Sequence, residues 1–155
     1  MKIAIASDHQ GYKRKQQLLE FLRNKNYDVI DLGTDSTENV DYTDFCEKLC
    51  DKVNKKEVNY GILICGTGIG MSICANKIKG IYCAKVCNKR EALFSRKHNN
   101  ANVLALSKSI CFYKFKQIVL TFLHTPFLEE ERYIRRINKI KDIEEKNSNI
   151  KKKKK

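Results

Sequence analysis

The chain has 155 residues, 42% of them hydrophobic, which favours one compact domain with its own core and excludes disorder over most of the length. Its formal net charge is +13, but five of these charges belong to Lys151–Lys155 and leave +8 for residues 1–150. A basic nucleic-acid-binding module is therefore kept as an alternative to an enzyme, and not as the leading interpretation. No apolar run approaches the roughly 18–20 residues that span a bilayer. No signal-peptide pattern opens the chain and the seven cysteines form no CxxC pair, so we expect a reducing, cytoplasmic location without a disulfide framework or a metal site.

Short apolar runs alternate with longer helical patterns, as in repeated βα units around a parallel sheet. The near-continuous hydrophobic runs predict strands at Ile3–Ala6, Val29–Leu32, Tyr60–Ile64, Ile81–Val86 and Val103–Leu106. Helices are predicted at Tyr12–Asn24, Tyr42–Asn54, Gly68–Ile78, Lys89–Lys97, Ile110–Leu123 and Leu128–Lys146. The sequence therefore predicts a three-layer α/β/α, Rossmann-like single domain at residues 1–146, with a five-stranded parallel sheet and a C-terminal helix. Residues 147–155 are predicted to form a disordered lysine-rich tail.

The first two helices have clear apolar faces. The first places Leu18, Leu19 and Leu22 on one side, and its charged residues are predicted to face solvent: Lys13, Arg14, Lys15 and Arg23. The second carries Cys46 and Cys50 four residues apart on its apolar face. That spacing fits a metal-ligand pair, but buried cysteines that act as small hydrophobic residues are the favoured interpretation.

Two turns that follow strands are candidate ligand sites, because ligands of open parallel sheets bind beyond the carboxyl ends of the strands. One is Ser7–Gly11 after the first strand, and the other is Cys65–Ser72 after the third. Both would face one crevice if those strands are neighbours. The glycines of the second turn, Gly66, Gly68 and Gly70, indicate either an anion cradle of backbone N–H groups or simply a close-packed turn.

Three side chains in these turns could carry chemistry. Cys65 stands where a strand end meets a helix start, surroundings that favour a thiolate base or nucleophile, although a buried structural thiol is the competing interpretation. Asp8 and His9 could hold sugar hydroxyls and a phosphate respectively, or be structural. The sequence alone leaves these alternatives open.

Two further groups lie outside those turns. His98 and Asn99 close a helix, where Asn is often only a cap. A helix-to-strand connection lies at the amino edge of the sheet, so His98 would reach Cys65 most simply from a second subunit. Arg132 and Arg136 are four residues apart on the last helix, so both guanidinium groups could bind one phosphate. The alternative is a solvated helix face with local Glu129–Arg132 and Glu131–Arg135 ion pairs.

Taken together, these segments resemble a known family. The resemblance rests on Asp8-His9-x-Gly11, on Asp41-Tyr42, on the run from Gly61 to Lys77 and on the run from Ser95 to Leu104. They are similar to the type B ribose-5-phosphate isomerases, in the group that includes galactose-6-phosphate isomerase subunits. The resemblance covers about residues 1–146 in order.

The resemblance implies interconversion of ribose 5-phosphate and ribulose 5-phosphate, a step of the pentose phosphate pathway, through an enediolate and without metal or organic cofactor. Cys65 would be the base, Thr67 would position or activate it, and His98 would assist opening of the furanose ring. The implied substrate-binding residues are Asp8, His9, Gly66, Gly68, Ile69, Gly70, Asn99, Arg132 and Arg136. We expect a homodimer with shared active sites, with a tetramer as the other possible assembly, and neither a specific nucleic acid nor a membrane as partner.

Other functions stay open at this point. An isomerase of a six-carbon sugar phosphate, such as galactose 6-phosphate or allose 6-phosphate, would keep the same chemistry. A flavodoxin-like nucleotide-binding domain would share the predicted fold.

One position departs from the family pattern. The family commonly places an arginine shortly after the fifth strand to contact phosphate, whereas this chain has Ser109 there. Lys108 could substitute as a point charge, although an ammonium cannot reproduce a guanidinium fork.

Overall fold

The structure, a computed structural model, describes residues 1–152. Strands and helices alternate along the chain, and a second helix follows the last strand and its helix. The strands are β1 Lys2–Ser7, β2 Asp28–Asp31, β3 Tyr60–Cys65, β4 Cys83–Lys85 and β5 Val103–Ser107. The helices are α1 Tyr12–Arg23, α2 Tyr42–Asn54, α3 Ile69–Ala75, α4 Lys89–Lys97, α5 Phe112–His124 and α6 Glu131–Lys152. Each predicted strand and helix is present, with ends that differ by a few residues.

All five strands are parallel and lie in the order β2-β1-β3-β5-β4. The first and third strands are direct neighbours, and their register pairs Ser7 with Ile64. The turns that follow β1 and β3 therefore leave the sheet side by side at its carboxyl edge. This confirms the condition on which a shared crevice depends.

Helices cover both faces of the sheet and enclose two hydrophobic cores. On one face the core includes Leu18 and Leu22 of α1 with Phe115 and Phe122 of α5. On the other face, α2 and α3 pack a second core. The predicted α/β/α architecture is therefore confirmed.

The buried cysteines of α2 belong to the second core. Cys46 and Cys50 are fully buried, as predicted, and contact with the Cys50 thiol together with burial raises the pKa of the Cys46 thiol. Within residues 1–152, no group of three or more His, Cys, Asp or Glu side chains is placed to hold a metal ion.

Lys15 does not face solvent, and that prediction is wrong. Its side chain is fully buried, and its Nζ lies 2.5 Å from Oδ2 of Asp31. The loop after β2 makes room for it, because a Cβ on Gly33 would lie 2.8 Å from the Lys15 Cδ. The ion pair with Asp31 offsets much of the cost of burying the ammonium.

Two helix ends differ from the prediction for visible reasons. The third helix stops at Ala75 instead of Ile78, because the Asn76 side chain bonds to the backbone of Cys83 through both its amide nitrogen and its oxygen. The last helix begins at Glu131 instead of Leu128 and continues to Lys152, six residues beyond the predicted end. Residues 153–155 of the predicted tail lie outside the described part of the chain, and the domain boundary at 146 stays a prediction. None of the described helices is both long enough and apolar enough to cross a membrane.

Candidate active site

The thiol of Cys65 lies at the carboxyl edge of the sheet, as the last residue of β3. Its residue is 5% exposed, and its Sγ accepts a hydrogen bond from the backbone N–H of Gly68 at 3.1 Å. Gly68 has a φ of +78°, and a Cβ there would lie 3.0 Å from the backbone of Leu106. Only glycine adopts this conformation in this space without strain, so it sets the direction of the N–H that meets the sulfur.

The end of β5 holds the turn that carries Cys65. The Ser107 hydroxyl donates to the carbonyl oxygen of Gly66 at 2.7 Å, and the N–H of Lys108 donates to the carbonyl oxygen of Cys65 at 2.9 Å. The Lys108 ammonium is exposed at the same edge and contacts Oε1 of Gln10. A positive charge therefore stands beside the Cys65 turn, although not at position 109.

The turn after β1 lies beside the Cys65 turn at the same edge of the sheet. Asp8 is buried, and its Oδ1 accepts the N–H of Gly11 at 2.9 Å. Gly11 has no room for a side chain, because a Cβ would overlap the Ile64 carbonyl. The two turns predicted to share a crevice are therefore in direct contact.

His9 follows Asp8 and is half-buried at the edge of a cleft. Its Nδ1 accepts the backbone N–H of Val40 at 3.2 Å, so the ring proton is on Nε2, which can donate to a ligand. The cleft has a volume of about 510 Å³ and is lined by His9, Asn39, Val40, Asp41, Asp44 and Phe45.

A second group of predicted site residues surrounds His98. Its ring lies between two aromatic rings, with centroids 4.7 Å from Phe94 and 4.4 Å from Tyr133. The guanidinium of Arg132 covers the same Tyr133 ring at 4.7 Å. Asn99 is exposed, and its amide nitrogen lies 3.5 Å from the Phe94 carbonyl oxygen. The ring of His98 is thus held flat against its own helix and against α6.

The two arginines of α6 are both exposed. Arg132 forms a local ion pair with Glu130 at 2.8 Å, instead of with Glu129. Arg136 lies about one turn further along the helix, near the same face. Both guanidinium groups are accessible to a ligand.

The two groups of site residues lie at opposite edges of the sheet within one chain. Arg96, two residues before His98, bonds through Nη2 to the hydroxyl of Tyr60, which begins β3, whereas Cys65 ends that strand. Five residue steps along a strand cover about 17 Å. Within one subunit, His98 therefore lies far from Cys65. This agrees with the expectation from the order of the elements that His98 stands at the amino edge of the sheet.

The structure brings to the site three residues to which the sequence analysis assigned no role. Gln10 contacts Lys108, and Tyr133 stacks on His98. Tyr42 closes against the glycine turn, since a Cβ on Gly70 would lie 2.9 Å from its Cζ. Gln10 and Tyr42 lie in segments that the sequence analysis named, Ser7–Gly11 and Asp41-Tyr42. Tyr133 stands four residues before the buried Ile137 on the inner face of α6, a spacing that could have identified it.

Comparison with known proteins places this geometry in a family. The family model described as Ribose/Galactose Isomerase matches residues 3–140. The chain is 44% identical in sequence to ribose-5-phosphate isomerase B of Clostridium thermocellum, with a TM-score of 0.92 over 95% of this chain and 99% of that one. It is 42% identical to the Mycoplasma genitalium enzyme solved with bound ribulose-5-phosphate, with a TM-score of 0.87 over 93% and 96% of the two chains. It is also 38% identical to ribose-5-phosphate isomerase B of Escherichia coli, over 93% of this chain and 97% of that protein. These relatives are isomerases, and they share the fold over nearly the whole chain. The protein is therefore a member of the ribose/galactose isomerase family.

Proposed function

We propose that the protein interconverts D-ribose 5-phosphate and D-ribulose 5-phosphate through an enediolate, with Cys65 as the base. The observation that carries this proposal is the placement of the Cys65 sulfur in a turn of backbone N–H groups, at the edge where Asp8 and His9 also lie. The relatives named as ribose-5-phosphate isomerases, one of them solved with ribulose-5-phosphate, support the same substrate.

The proton transfer needs a base that reaches both of the first two sugar carbons. The Cys65 thiolate takes the proton from carbon 2 of the aldose and returns it to carbon 1, while the hydroxyl proton on the oxygen of carbon 2 passes to the oxygen of carbon 1, and the carbonyl thereby moves from carbon 1 to carbon 2. The N–H of Gly68 stabilises the thiolate before the proton is taken and again after it is returned, whereas between the two transfers the sulfur is a neutral thiol and the charge is on the enediolate. Thr67 is exposed and stands two residues after Cys65 in the chain, and we assign its hydroxyl the role of donating to the sulfur or to a sugar oxygen.

Backbone N–H groups of the glycine turn stabilise the enediolate. Donors aimed at a developing oxyanion contribute a few kcal/mol each. Two of these groups already have acceptors inside the turn, because Gly68 donates to the sulfur and Ile69 donates to Oγ1 of Thr67 at 3.2 Å. These two bonds hold the turn in shape. The other amides of the segment are assigned to the enediolate oxygens: Gly66, Thr67 and Gly70.

The remaining roles require residues from both edges of the sheet. His98 assists ring opening, Asp8 and Asn99 bind sugar oxygens, and the phosphate is bound by His9, Arg132 and Arg136. Since about 17 Å of strand separates Cys65 from the His98 edge within one subunit, each active site in this proposal combines the Cys65 edge of one subunit with the His98 edge of another. A homodimer is the smallest assembly that provides this, and a tetramer of two such dimers keeps it. We place the reaction in the cytoplasm.

An isomerase assay with matched cysteine variants tests the proposal. Purified protein is supplied with ribose 5-phosphate, and ribulose 5-phosphate is measured over time. Cys65→Ala should lower kcat by about 10²–10⁴-fold, the range expected for loss of a positioned acid–base group. Cys87→Ala, at an exposed cysteine outside the site, is the control and should keep full activity. Normal turnover by Cys65→Ala would exclude this thiol as the base.

Galactose 6-phosphate and allose 6-phosphate serve as comparison substrates in the same assay. The six-carbon alternative predicts a higher kcat/KM on one of them than on ribose 5-phosphate. The proposal predicts the reverse order.

A further inference from the structure

We propose that Arg96 is the positioning residue for His98, acting through the turn at residues 98–102 and the segment that leads into α6. This inference rests on the proposed function, because it assigns Arg96 an effect on a reaction step that His98 assists. Arg96 itself is buried and touches neither the Cys65 edge nor a ligand surface.

The Arg96 guanidinium is enclosed by protein. The residue is 5% exposed, and the group lies over the rings of Tyr60 at 4.7 Å and Phe122 at 5.7 Å. Burial lowers the pKa of this guanidinium from its ordinary value. A desolvated positive charge is costly, so its retention here calls for a compensating role.

Four hydrogen bonds satisfy this group, and every acceptor is neutral. Nε donates to the carbonyl oxygen of Thr125 at 3.2 Å, and Nη2 donates to the hydroxyl of Tyr60 at 2.8 Å. Nη1 donates to Oδ1 of Asn100 at 2.9 Å and to the carbonyl oxygen of Ala101 at 2.6 Å. Because no carboxylate is among these partners, the charge does not serve an ion pair. Its fork instead joins three separate segments of chain at one point.

Two of these segments carry the surroundings of His98. Asn100 has a φ of +47°, an uncommon backbone conformation for a residue with a side chain, and its bond to Arg96 holds the turn in that shape. Thr125 begins the connection to α6, which brings the Tyr133 ring to 4.4 Å from the His98 ring. The guanidinium therefore sets where the ring of His98 lies relative to both of its aromatic neighbours.

The consequence for the reaction is one of placement. A misplacement of about 1 Å in a catalytic group can lower a rate by about 10²-fold, even when its cause is remote from the reacting atoms. Lysine at position 96 keeps the charge but offers one nitrogen in place of a planar fork, so it cannot join the same three segments. Arg96→Lys should therefore displace His98 while leaving the Cys65 edge unchanged.

A kinetic double-mutant cycle tests this coupling on ribose 5-phosphate. Arg96→Lys should lower kcat/KM by about 10–100-fold in the wild-type background. In a His98→Ala background the same substitution should cost less than about threefold, because coupled residues are not additive. An equal loss in both backgrounds would show a general structural effect and overturn the inference, as would full activity of Arg96→Lys.

A milder variant covers the case in which Arg96→Lys does not fold. Asn100→Gly keeps the positive φ but removes the Oδ1 acceptor, and it should lower kcat/KM several-fold with the same dependence on His98. Asn26→Gly is the matched control, since Asn26 also has a positive φ, of 60°, but is exposed on the α1–β2 connection. Equal activities of the two glycine variants would contradict the inference.

The geometric claim also has a readout that needs no isomerase activity. The chain has three histidines, so the ring signals of His98 can be assigned by NMR through their loss in His98→Ala. Rings stacked on both faces shift these signals, and Arg96→Lys or Asn100→Gly should move them toward the position of a free imidazole. Unmoved signals would overturn the role of Arg96. If the wild type is inactive on ribose 5-phosphate while the His98 signals still move in Arg96→Lys or Asn100→Gly, only the proposed function is overturned.

Discussion

Mixing two inactive subunits should restore activity if the sites are shared. The two subunits carry Cys65→Ala and His98→Ala, which remove one residue from each edge of the sheet. In a heterodimer, one site then has both residues intact and the other has neither. A purified heterodimer should therefore recover about half of the wild-type activity per dimer, and a random equal mixture should recover about a quarter.

The experiment uses co-expression with two different affinity tags and purification over both columns, followed by the ribulose 5-phosphate assay. Its control pairs Cys65→Ala with Thr67→Ala, two substitutions at the same edge, so that every site keeps one defect. This heterodimer should not exceed the mean of its two homodimers. If the Cys65→Ala and His98→Ala pair also stays at that mean, the shared site is refuted, because each subunit would then need both residues itself.

Three further substitutions test other parts of the structure. Lys108→Ala removes the exposed ammonium beside the Cys65 turn and should raise the KM for ribose 5-phosphate about fivefold with little change in kcat, since such a charge contact is worth about 1 kcal/mol. A fall in kcat at constant KM would contradict a role in phosphate binding. Asp31→Asn leaves the fully buried Lys15 ammonium without its charge partner and should lower the free energy of unfolding in urea by about 3 kcal/mol, whereas an unchanged midpoint would show that the pair is neutral to stability. Gly68→Ala forces a Cβ into a positive φ and against the Leu106 backbone, so thermal unfolding should show a loss of about 1–2 kcal/mol and the assay a reduced kcat; a variant with wild-type stability would mean that the turn relaxes without strain.

The strands could be predicted from sequence because a parallel sheet covered on both faces needs uninterrupted apolar runs. Val103–Leu106 is such a run, and the observed strand differs only by adding Ser107. The fourth strand is shorter than its apolar run, because the Tyr82 N–H bonds to the side chain of Asn102 instead of to a neighbouring strand, and Asn76 holds the backbone of Cys83, where the register with β5 begins. Composition marks a strand, but its length depends on the contacts of its neighbours.

The burial of Lys15 shows a limit of residue type as a guide. Its position is on the inner face, since 15, 18, 19 and 22 follow the spacing of one helical side. The charge alone suggested solvent. What permits burial is Asp31, which lies on another strand and is brought alongside only by the fold.

In the candidate site, too, features formed by neighbouring residues could be predicted, whereas contacts between distant segments could not. Cys65 and the glycine turn are contiguous in sequence, so their placement in one turn after a buried strand could be predicted from the order of residues. The ring stack on His98 and the bonds of Arg96 join segments about thirty residues apart, and no local pattern contains that information.

The hydrogen bond from Val40 to His9 has a consequence for the phosphate binding proposed above. Because Nδ1 accepts the Val40 N–H, the other ring nitrogen, Nε2, is the one that can donate a directed hydrogen bond to a phosphate oxygen. In the proposed site, charge attraction to the phosphate is assigned to the arginines of α6 and to Lys108. Added salt should accordingly weaken substrate binding through those groups.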